Sequence, residues 1–243
     1  SDRLLRYQAT RWFTRQAKRG AIVQIQAIDV GGQIHQFELP AAYNVRYLPR
    51  LPVPIDGIPD SGNVSFKKHE NDLGYIYVRR IRRDLIEQLD AAVRDLRSCQ
   101  GLVIDVRGNS GGGFDANRAH VNFDLSGSRE PARPRFSGPI AVLIDARCIS
   151  AGEGWTSWFV ANKRTRLFGE TTAGASARKV QRDVMHGVFR VTYPVKAYRG
   201  FLDRPIEHLG LVPDVEVMPN ADDLANGVDT VLETACEYLR EQQ

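Results

Sequence analysis

Two uninterrupted apolar runs, each followed at once by a turn of small and polar residues, constrain the fold more than any other feature. The first is "GLVIDV" (101–106), which leads into "RGNSGGG", and the second is "GPIAVLID" (138–145), which leads into "ARCISAGEGW". Strands that are apolar on both faces are typical of a parallel sheet covered by helices. The sequence therefore predicts an α/β fold built from right-handed βαβ units.

Helical and extended patterns alternate around these two runs. Apolar residues at helical spacing predict an amphipathic helix over 84–98, and a second helix is expected from Ser150 to about Asn162. A short helix is expected from about Phe114. Further strands are expected at 73–80 and 164–169, one or two within 187–198, and a last one in 209–217, before a single terminal amphipathic helix over 221–242.

The first third of the chain lacks this alternation of helical and extended patterns. Residues 21–40 alternate apolar and polar side chains on either side of Gly31-Gly32, which predicts a β-hairpin. Residues 41–71 are rich in proline and predict an irregular connector. A chain of 243 residues that is 42% hydrophobic can form one large domain, or a domain with a small appendage.

Composition excludes several classes of function. The net charge of +4 is spread along the chain, and the basic stretches "RRIRR" (79–83) and "ARPRF" (132–136) carry no nucleic-acid fold signature, so we expect solvated surface and no nucleic-acid partner. Three cysteines without a CxxC pair predict neither a zinc site nor a disulfide scaffold. No apolar run reaches the ~18 residues of a membrane span. We expect no metal and no cofactor.

The glycine-rich corner after the first run has a specific chemical use. "DVRGNSGGG" (105–113) lacks both the Walker lysine-Ser/Thr ending and G-x-G-x-x-G spacing, which argues against nucleotide binding. One glycine is enough for a tight turn, and three in a row exceed that need. Such a corner can present backbone N–H groups, free of side chains, to an oxyanion that develops during a reaction.

Ser150 has two competing interpretations from its local sequence. It can be the N-cap of the helix that follows, or a nucleophile held where the helix N-terminus favours negative charge. The N–H of Ala151 would then be a natural second oxyanion donor. Cys148, two residues earlier, is expected to be a small buried thiol at a strand end rather than the nucleophile.

Four ordered blocks carry a resemblance to a known family. "GYIYV…GLVIDVRGNSGGG", "GPIAVLIDARCISAGEGWTSWF", "RLFGETTAGAS" and "IEHLGLVPDVEV" resemble the C-terminal processing, tail-specific and tricorn-core serine peptidases over roughly residues 73–217. The resemblance implies a crotonase-like core of ββα units at 73–243. It also implies that the hairpin is the end of a PDZ-like module at 1–45, joined by a connector at 46–72.

The resemblance assigns roles to residues by position. Ser150 matches the nucleophile, and Gly112 and Ala151 match the backbone donors of the oxyanion hole, with Gly111 beside them. Two supporting positions, Glu153 and Thr172, match residues used in and around the site. From the sequence alone these two could equally be a first-turn acid of a helix and a loop hydroxyl.

The general base departs from the tail-specific pattern. Where that branch has a lysine after "GE-x-T-x-G", this chain has Ala175, and Lys179 could replace it only if the loop were remodelled. The tricorn-like branch instead uses a histidine and a glutamate, and Glu207 in "EHLGLVPD" matches that glutamate. The resemblance then implies a histidine upstream of residue 1, with His208 as the best local substitute. No constellation surrounds the other histidines, which are His35, His69, His120 and His186.

The sequence therefore predicts a serine endopeptidase core that acts on extended or unfolded polypeptide, presented by a PDZ module, with this segment folded but inactive alone. One alternative is a homologue that kept the fold for binding and lost catalysis, which Ala175 invites. Another is a crotonase-fold enzyme acting on a thioester, against which the Ser-Ala-Gly-Glu corner argues. The resemblance is compatible with an exported or periplasmic protein, and the sequence gives no oligomeric state.

Overall fold

The computed structural model describes residues 18–29, 31–41, 51–59, 62–112, 120–126 and 133–242. The strands in these ranges are β1 (Ile22–Ile28), β2 (Ile34–Pro40), β3 (Val64–Lys68), β4 (Leu73–Val78), β5 (Gly101–Asp105), β6 (Ile140–Ile144), β7 (Arg166–Gly169), β8 (Arg178–Val184), β9 (Phe189–Lys196) and β10 (Val215–Glu216). The helices are α1 (Leu85–Leu96), α2 (Ala151–Ala161), α3 (Ala221–Ala225) and α4 (Thr230–Glu241).

A six-stranded sheet forms the centre of the fold, in the order β10-β7-β6-β5-β4-β3. Strands β4, β5, β6, β7 and β10 are parallel, and β3 adds an antiparallel edge to β4. Both predicted apolar runs are central strands, and every residue of β5 and β6 is buried. The prediction of an α/β fold with a parallel sheet is confirmed.

Helices cover both faces of this sheet, which explains why its strands are apolar on both sides. One core contains Ile76, Ile104 and Val142 together with α1 and the Trp155 and Phe159 side chains of α2. The other core contains residues such as Tyr75 and Val103 together with the apolar face of α4. Alternate residues of one strand therefore enter different cores.

Two hairpins lie outside the central sheet, β1–β2 and β8–β9. The first confirms the hairpin predicted for residues 21–40. For the second hairpin, the sequence predicted the region of β9 but not β8, because residues 170–179 were expected to be a loop and β8 is strongly polar. Both strands are exposed along almost their whole length, and an exposed strand such as β8 need not have the apolar pattern by which a strand is predicted.

Three details of the predicted secondary structure are wrong. Residues 64–68 lie within the predicted connector but form β3, because they pair with β4 in register. The terminal helix is two helices, α3 and α4, since Gly227 adopts φ 73° and Asp229 caps a new helix by accepting from the Leu232 N–H. The last strand is also shorter than expected.

The "RRIRR" stretch is not wholly solvated as the sequence predicted. Arg79 is buried, and its guanidinium donates to Ser65 Oγ and to the Pro59 carbonyl and lies over the Tyr77 ring. The helix expected from Phe114 falls in residues 113–119, outside the described ranges. No helix within those ranges is long and apolar enough to cross a membrane.

A buried ion network joins α4 to the carboxyl end of β5. Arg107 donates to both carboxylate oxygens of Asp105 and of Asp229, at 2.6–3.1 Å. The Tyr75 hydroxyl donates to Asp105 at 2.8 Å. Burial by itself would lower the pKa of the Arg107 guanidinium, but the two neighbouring carboxylates outweigh it and raise this pKa above its usual range, so the side chain stays charged. The network fixes the N-terminus of α4 against the sheet.

Candidate active site

Asn109 organises the corner after β5. Its Nδ2 donates to the Val78 carbonyl at 2.8 Å, and its Oδ1 accepts from the Gly111 N–H at 2.9 Å. Its backbone carbonyl accepts from the Ile149 N–H at 3.0 Å, in the corner after β6. Asn109 is fully buried, so this one residue holds both corners in a fixed relative position.

Gly111 and Gly112 allow a close approach that no other residue would permit. Gly111 adopts φ 77°, and a Cβ there would lie 2.7 Å from Ser150 Cβ and 3.1 Å from Ser150 Oγ. At Gly112 a Cβ would lie 1.7 Å from the Ile81 carbonyl oxygen. The predicted juxtaposition of the glycine corner with the serine corner therefore exists, and steric exclusion explains these two glycines.

The peptide between these glycines has a defined orientation. The Gly111 carbonyl accepts from the Ile81 N–H at 3.1 Å. In a trans peptide the C=O and N–H point in opposite directions, and the described residues contain no cis peptide. The Gly112 N–H consequently points away from Ile81.

Ser150 immediately precedes α2 and has a strained backbone. A capping serine is ordinarily extended, with negative φ, whereas Ser150 has φ 57° and ψ −125°. A non-glycine residue in such a conformation costs on the order of 1–3 kcal/mol and persists only when its surroundings impose it. Helix capping alone does not require this strain. Ala151 is the first residue of α2, where backbone N–H groups have no acceptor within the helix.

The buried carboxylate of Glu153 is hydrogen-bonded both to the Ser150 corner and to the loop after β7. This carboxylate is fully buried and accepts five hydrogen bonds of 2.5–3.1 Å. The donors are the N–H groups of Ser150, Gly174 and Ala175 and the hydroxyls of Thr172 and Ser176. Five bonds occupy all the acceptor positions of a carboxylate, so Glu153 is placed to position this corner rather than to accept a proton.

Thr172 connects the Glu153 carboxylate to the segment that carries Glu207. Its hydroxyl donates to Glu153 at 2.6 Å and accepts from the Leu211 N–H at 2.8 Å. Its own N–H donates to the Leu211 carbonyl. Both supporting residues expected from the sequence are thus fully buried and joined to each other.

Glu207 reaches the same loop through Ser176. The Ser176 N–H donates to Glu207 Oε2 at 2.7 Å, and the Ser176 hydroxyl lies 3.1 Å from the Ser150 carbonyl. His208 donates its backbone N–H to the Gly174 carbonyl, and its side chain is exposed. Lys179 lies in β8, exposed and opposite Pro194. The structure therefore brings Glu207 next to the Ser150 corner.

Two other titratable groups near α2 have environments that suppress reactivity. Cys148 is fully buried, and burial raises the pKa of its thiol well above the usual range, so the reactive thiolate is disfavoured. His120 lies among Trp155, Trp158 and Phe159, and burial lowers its pKa to about 3. Its Nε2 lies 2.8 Å from the Trp155 carbonyl, an acceptor, so that nitrogen carries the proton.

Sequence reasoning missed Asn109 and Ser176. Asn109 stood inside a run of glycines, where a side chain able to bond to two segments is a signal that could have been used. Ser176 gave no such signal, because its partners, Glu153 and Glu207, are 23 and 31 residues away in the chain.

Residues 72–217, which include both corners and the loop after β7, match the profile of peptidase family S41. The chain belongs to peptidase family S41. This match confirms the resemblance drawn from the four sequence blocks. It also confirms, at the level of the family, the prediction of a serine-type peptidase. It does not favour a homologue kept only for binding.

Individual relatives agree with this family assignment. Tricorn protease homolog 2 of Streptomyces coelicolor is 29% identical over 165 residues, which are 61% of this chain and 14% of that protein. The crystal structure of the tricorn protease is 20% identical, with a TM-score of 0.58, over 92% of this chain and 22% of that one. The photosystem II D1 C-terminal processing protease is 21% identical, with a TM-score of 0.55, over 92% of this chain and 60% of that one. The two structural likenesses show a shared fold.

Proposed function

We propose that this chain is the catalytic core of a serine endopeptidase in which Ser150 attacks the carbonyl carbon of a peptide bond. The observation that carries the proposal is the strained backbone of Ser150, with φ 57° and ψ −125°, at a helix N-terminus against which Gly111 packs. Strain of this kind, at a strand-to-helix corner, presents a serine hydroxyl at the edge of a sheet.

The oxyanion formed by this attack would accept hydrogen bonds from the N–H groups of Gly112 and Ala151. The Gly112 N–H points away from Ile81, and the Ala151 N–H has no acceptor within α2. Two such donors stabilise the charge that develops in the transition state without reorganising. The tetrahedral intermediate then expels the amine, and water releases the acyl group from Ser150.

A base must take the Ser150 proton and return it to the leaving amine. Glu153 is saturated with hydrogen bonds, Cys148 is buried, and His120 is enclosed by aromatic rings. We assign the base to a histidine upstream of residue 1, as in the tricorn-like branch, with Glu207 orienting it. Glu207 is partly exposed and adjoins the Ser150 corner, which suits that role.

The proposal also divides the chain into a core, a connector and the end of a preceding module. The core at 73–243 would be a crotonase-like arrangement of ββα units, and residues 1–45 would end a PDZ-like module that presents polypeptide substrates. The connector at 46–72 would include β3, the part of it that joins the core sheet. The substrate would be an extended or unfolded polypeptide.

Covalent labelling of the full-length protein with a fluorophosphonate probe tests the proposal. We expect one adduct, detected by intact mass, that disappears in Ser150→Ala because the nucleophile is removed. Cys148→Ala is the matched control, since it removes a second potential nucleophile two residues away and should keep the adduct. Absence of an adduct on the folded wild-type protein would support an inactive binding homologue instead.

A further inference from the structure

The ribbon formed by β8 and β9 (178–196) is attached to the candidate active site at both ends. At its beginning, the Ala175 N–H and the Ser176 hydroxyl bond to Glu153. At its end, Tyr198 lies so close to α2 that a Cβ at Gly154 would be 2.8 Å from its ring. The ribbon therefore begins directly after the loop that is bonded to the Ser150 corner.

One face of the ribbon is apolar and exposed. The cross-strand pairs Val180–Tyr193, Arg182–Val191 and Val184–Phe189 place their side chains on this face. The exposed fractions of Phe189, Val191 and Val195 are 55%, 46% and 49%. The opposite face carries polar pairs such as Gln181–Thr192 and the Asp183–Arg190 ion pair.

The ribbon also carries a concentrated positive charge. Between residues 178 and 196 there is one acidic side chain, Asp183, and there are five basic ones, Arg178, Lys179, Arg182, Arg190 and Lys196. The ribbon's net charge of +4 equals that of the entire chain, so the remaining residues are neutral on balance. A ligand for this surface should therefore combine apolar and acidic groups.

The dimensions of the apolar face fit a peptide better than a folded partner. A strand of seven residues is about 23 Å long, so the face offers about 250 Å², against about 800 Å² per partner in a stable protein interface. Both edges of a two-stranded ribbon have unpaired backbone groups, which an extended segment can pair with as a further strand. A peptidase supplies such a segment as its substrate.

We propose that the β8–β9 ribbon is an exosite that binds an extended segment of the polypeptide substrate in which apolar and acidic residues alternate, beyond the residues cleaved at Ser150. The inference rests on the proposed peptidase function. Apolar side chains of the bound segment pack on Val191 and its neighbours. Acidic side chains face Arg182 and the flanking cations, and one end of the segment leads toward the active site.

The test compares long and short substrates of the full-length protein. The short substrate is a fluorogenic peptide with one cleavable sequence, and the long one embeds that sequence in an unfolded polypeptide of alternating acidic and apolar residues. Val191→Asp should raise KM for the long substrate about tenfold, as loss of a central contact does. It should leave kcat, cleavage of the short peptide and fluorophosphonate labelling unchanged.

Thr192→Asp is the matched control, because it adds the same charge at the neighbouring position on the polar face and should change KM less than twofold. Arg182→Glu, which leaves the apolar side chains in place, should raise KM for the acidic substrate and lower it for a version with lysine at each acidic position. Equal effects of Val191→Asp and Thr192→Asp, or equal loss on the short peptide, would overturn the exosite.

Two further measurements separate this inference from other outcomes. Binding of the long polypeptide to the Ser150→Ala protein, followed by fluorescence anisotropy, should weaken about tenfold when Val191→Asp is added, which tests the ribbon even if labelling fails and the proposed function is wrong. Binding of wild-type protein to vesicles of anionic lipid that is lost in Val191→Asp, with unchanged kinetics on the long substrate, would assign the ribbon to a membrane surface and overturn the proposal.

Discussion

Two fully buried carboxylates, Asp105 and Glu153, are stabilised in opposite ways. Asp105 is paired with a buried cation, Arg107, which also binds Asp229. Glu153 accepts hydrogen bonds from neutral donors, three backbone N–H groups and two hydroxyls. The ion pair joins α4 to the sheet, whereas the neutral donors are segments of the candidate active site itself.

The difference shows how a buried carboxylate can contribute either to stability or to the geometry of a site. A buried ion pair depends on its cation, so removing the cation leaves buried negative charge without compensation. A carboxylate bound by several loop groups distributes its energy over the loop and fixes the position of each segment. We therefore expect damage to the Asp105 network to appear in unfolding, and damage around Glu153 to appear mainly in reactivity.

Arg107→Leu should produce the largest effect on stability. It leaves Asp105 and Asp229 buried without their counter-charge, which costs about 3–5 kcal/mol. Urea unfolding at neutral pH measures this change. The control is Arg133→Leu, which breaks a partly exposed ion pair with Asp90 and should cost less than about 1 kcal/mol. Similar losses of unfolding free energy in the two variants would show that the buried network stabilises the fold no more than a partly exposed ion pair does.

The stability deficit of Arg107→Leu should depend on pH. Burial raises the pKa of Asp105, and loss of the opposing cation raises it further. A folded-state pKa above the unfolded value favours folding of the protonated form, so the penalty grows as pH rises through the folded-state pKa. The deficit should therefore be smaller at about pH 4 than at pH 7, and an equal deficit at both would contradict this explanation.

Glu153→Gln should have a moderate effect on stability and a clear effect on reactivity. The amide turns an NH₂ group toward N–H and O–H donors, which costs about 1–3 kcal/mol. Misplacement of the Ser150 corner should slow fluorophosphonate labelling of the full-length protein about 10- to 100-fold. Glu87→Gln is the control, because Glu87 is exposed at the same position of α1 and the labelling rate should stay unchanged.

Ser176→Ala should have the smallest effect of the three. It removes one hydroxyl from Glu153 and from the Ser150 carbonyl, but keeps the N–H that binds Glu207. A loss of about 1 kcal/mol in positioning corresponds to a labelling rate about fivefold lower. Ser176→Thr retains the hydroxyl and should restore most of the rate. An unchanged rate in Ser176→Ala would mean that the other four donors are sufficient.

The sequence by itself determined the central sheet and the family. Apolar runs such as "GLVIDV" are local, and a strand that is apolar on both faces is typical of a parallel sheet covered by helices. The four ordered blocks over roughly residues 73–217, by their resemblance to the tail-specific and tricorn-core serine peptidases, were enough to predict the family. These features depend on side chains that are close together in sequence.

Only the tertiary structure decided which side chains complete the site. Glu153 could have been an ordinary first-turn acid, and its partners, Thr172 and Ser176, lie about twenty residues away along the chain. The φ of 57° at Ser150 was likewise not predicted from the sequence; the corner that contains Ser150 packs against Gly111 and is bonded to the Asn109 carbonyl through the Ile149 N–H. Hydrogen bonds between distant segments leave no periodic pattern in a single sequence, so only the folded chain reveals them.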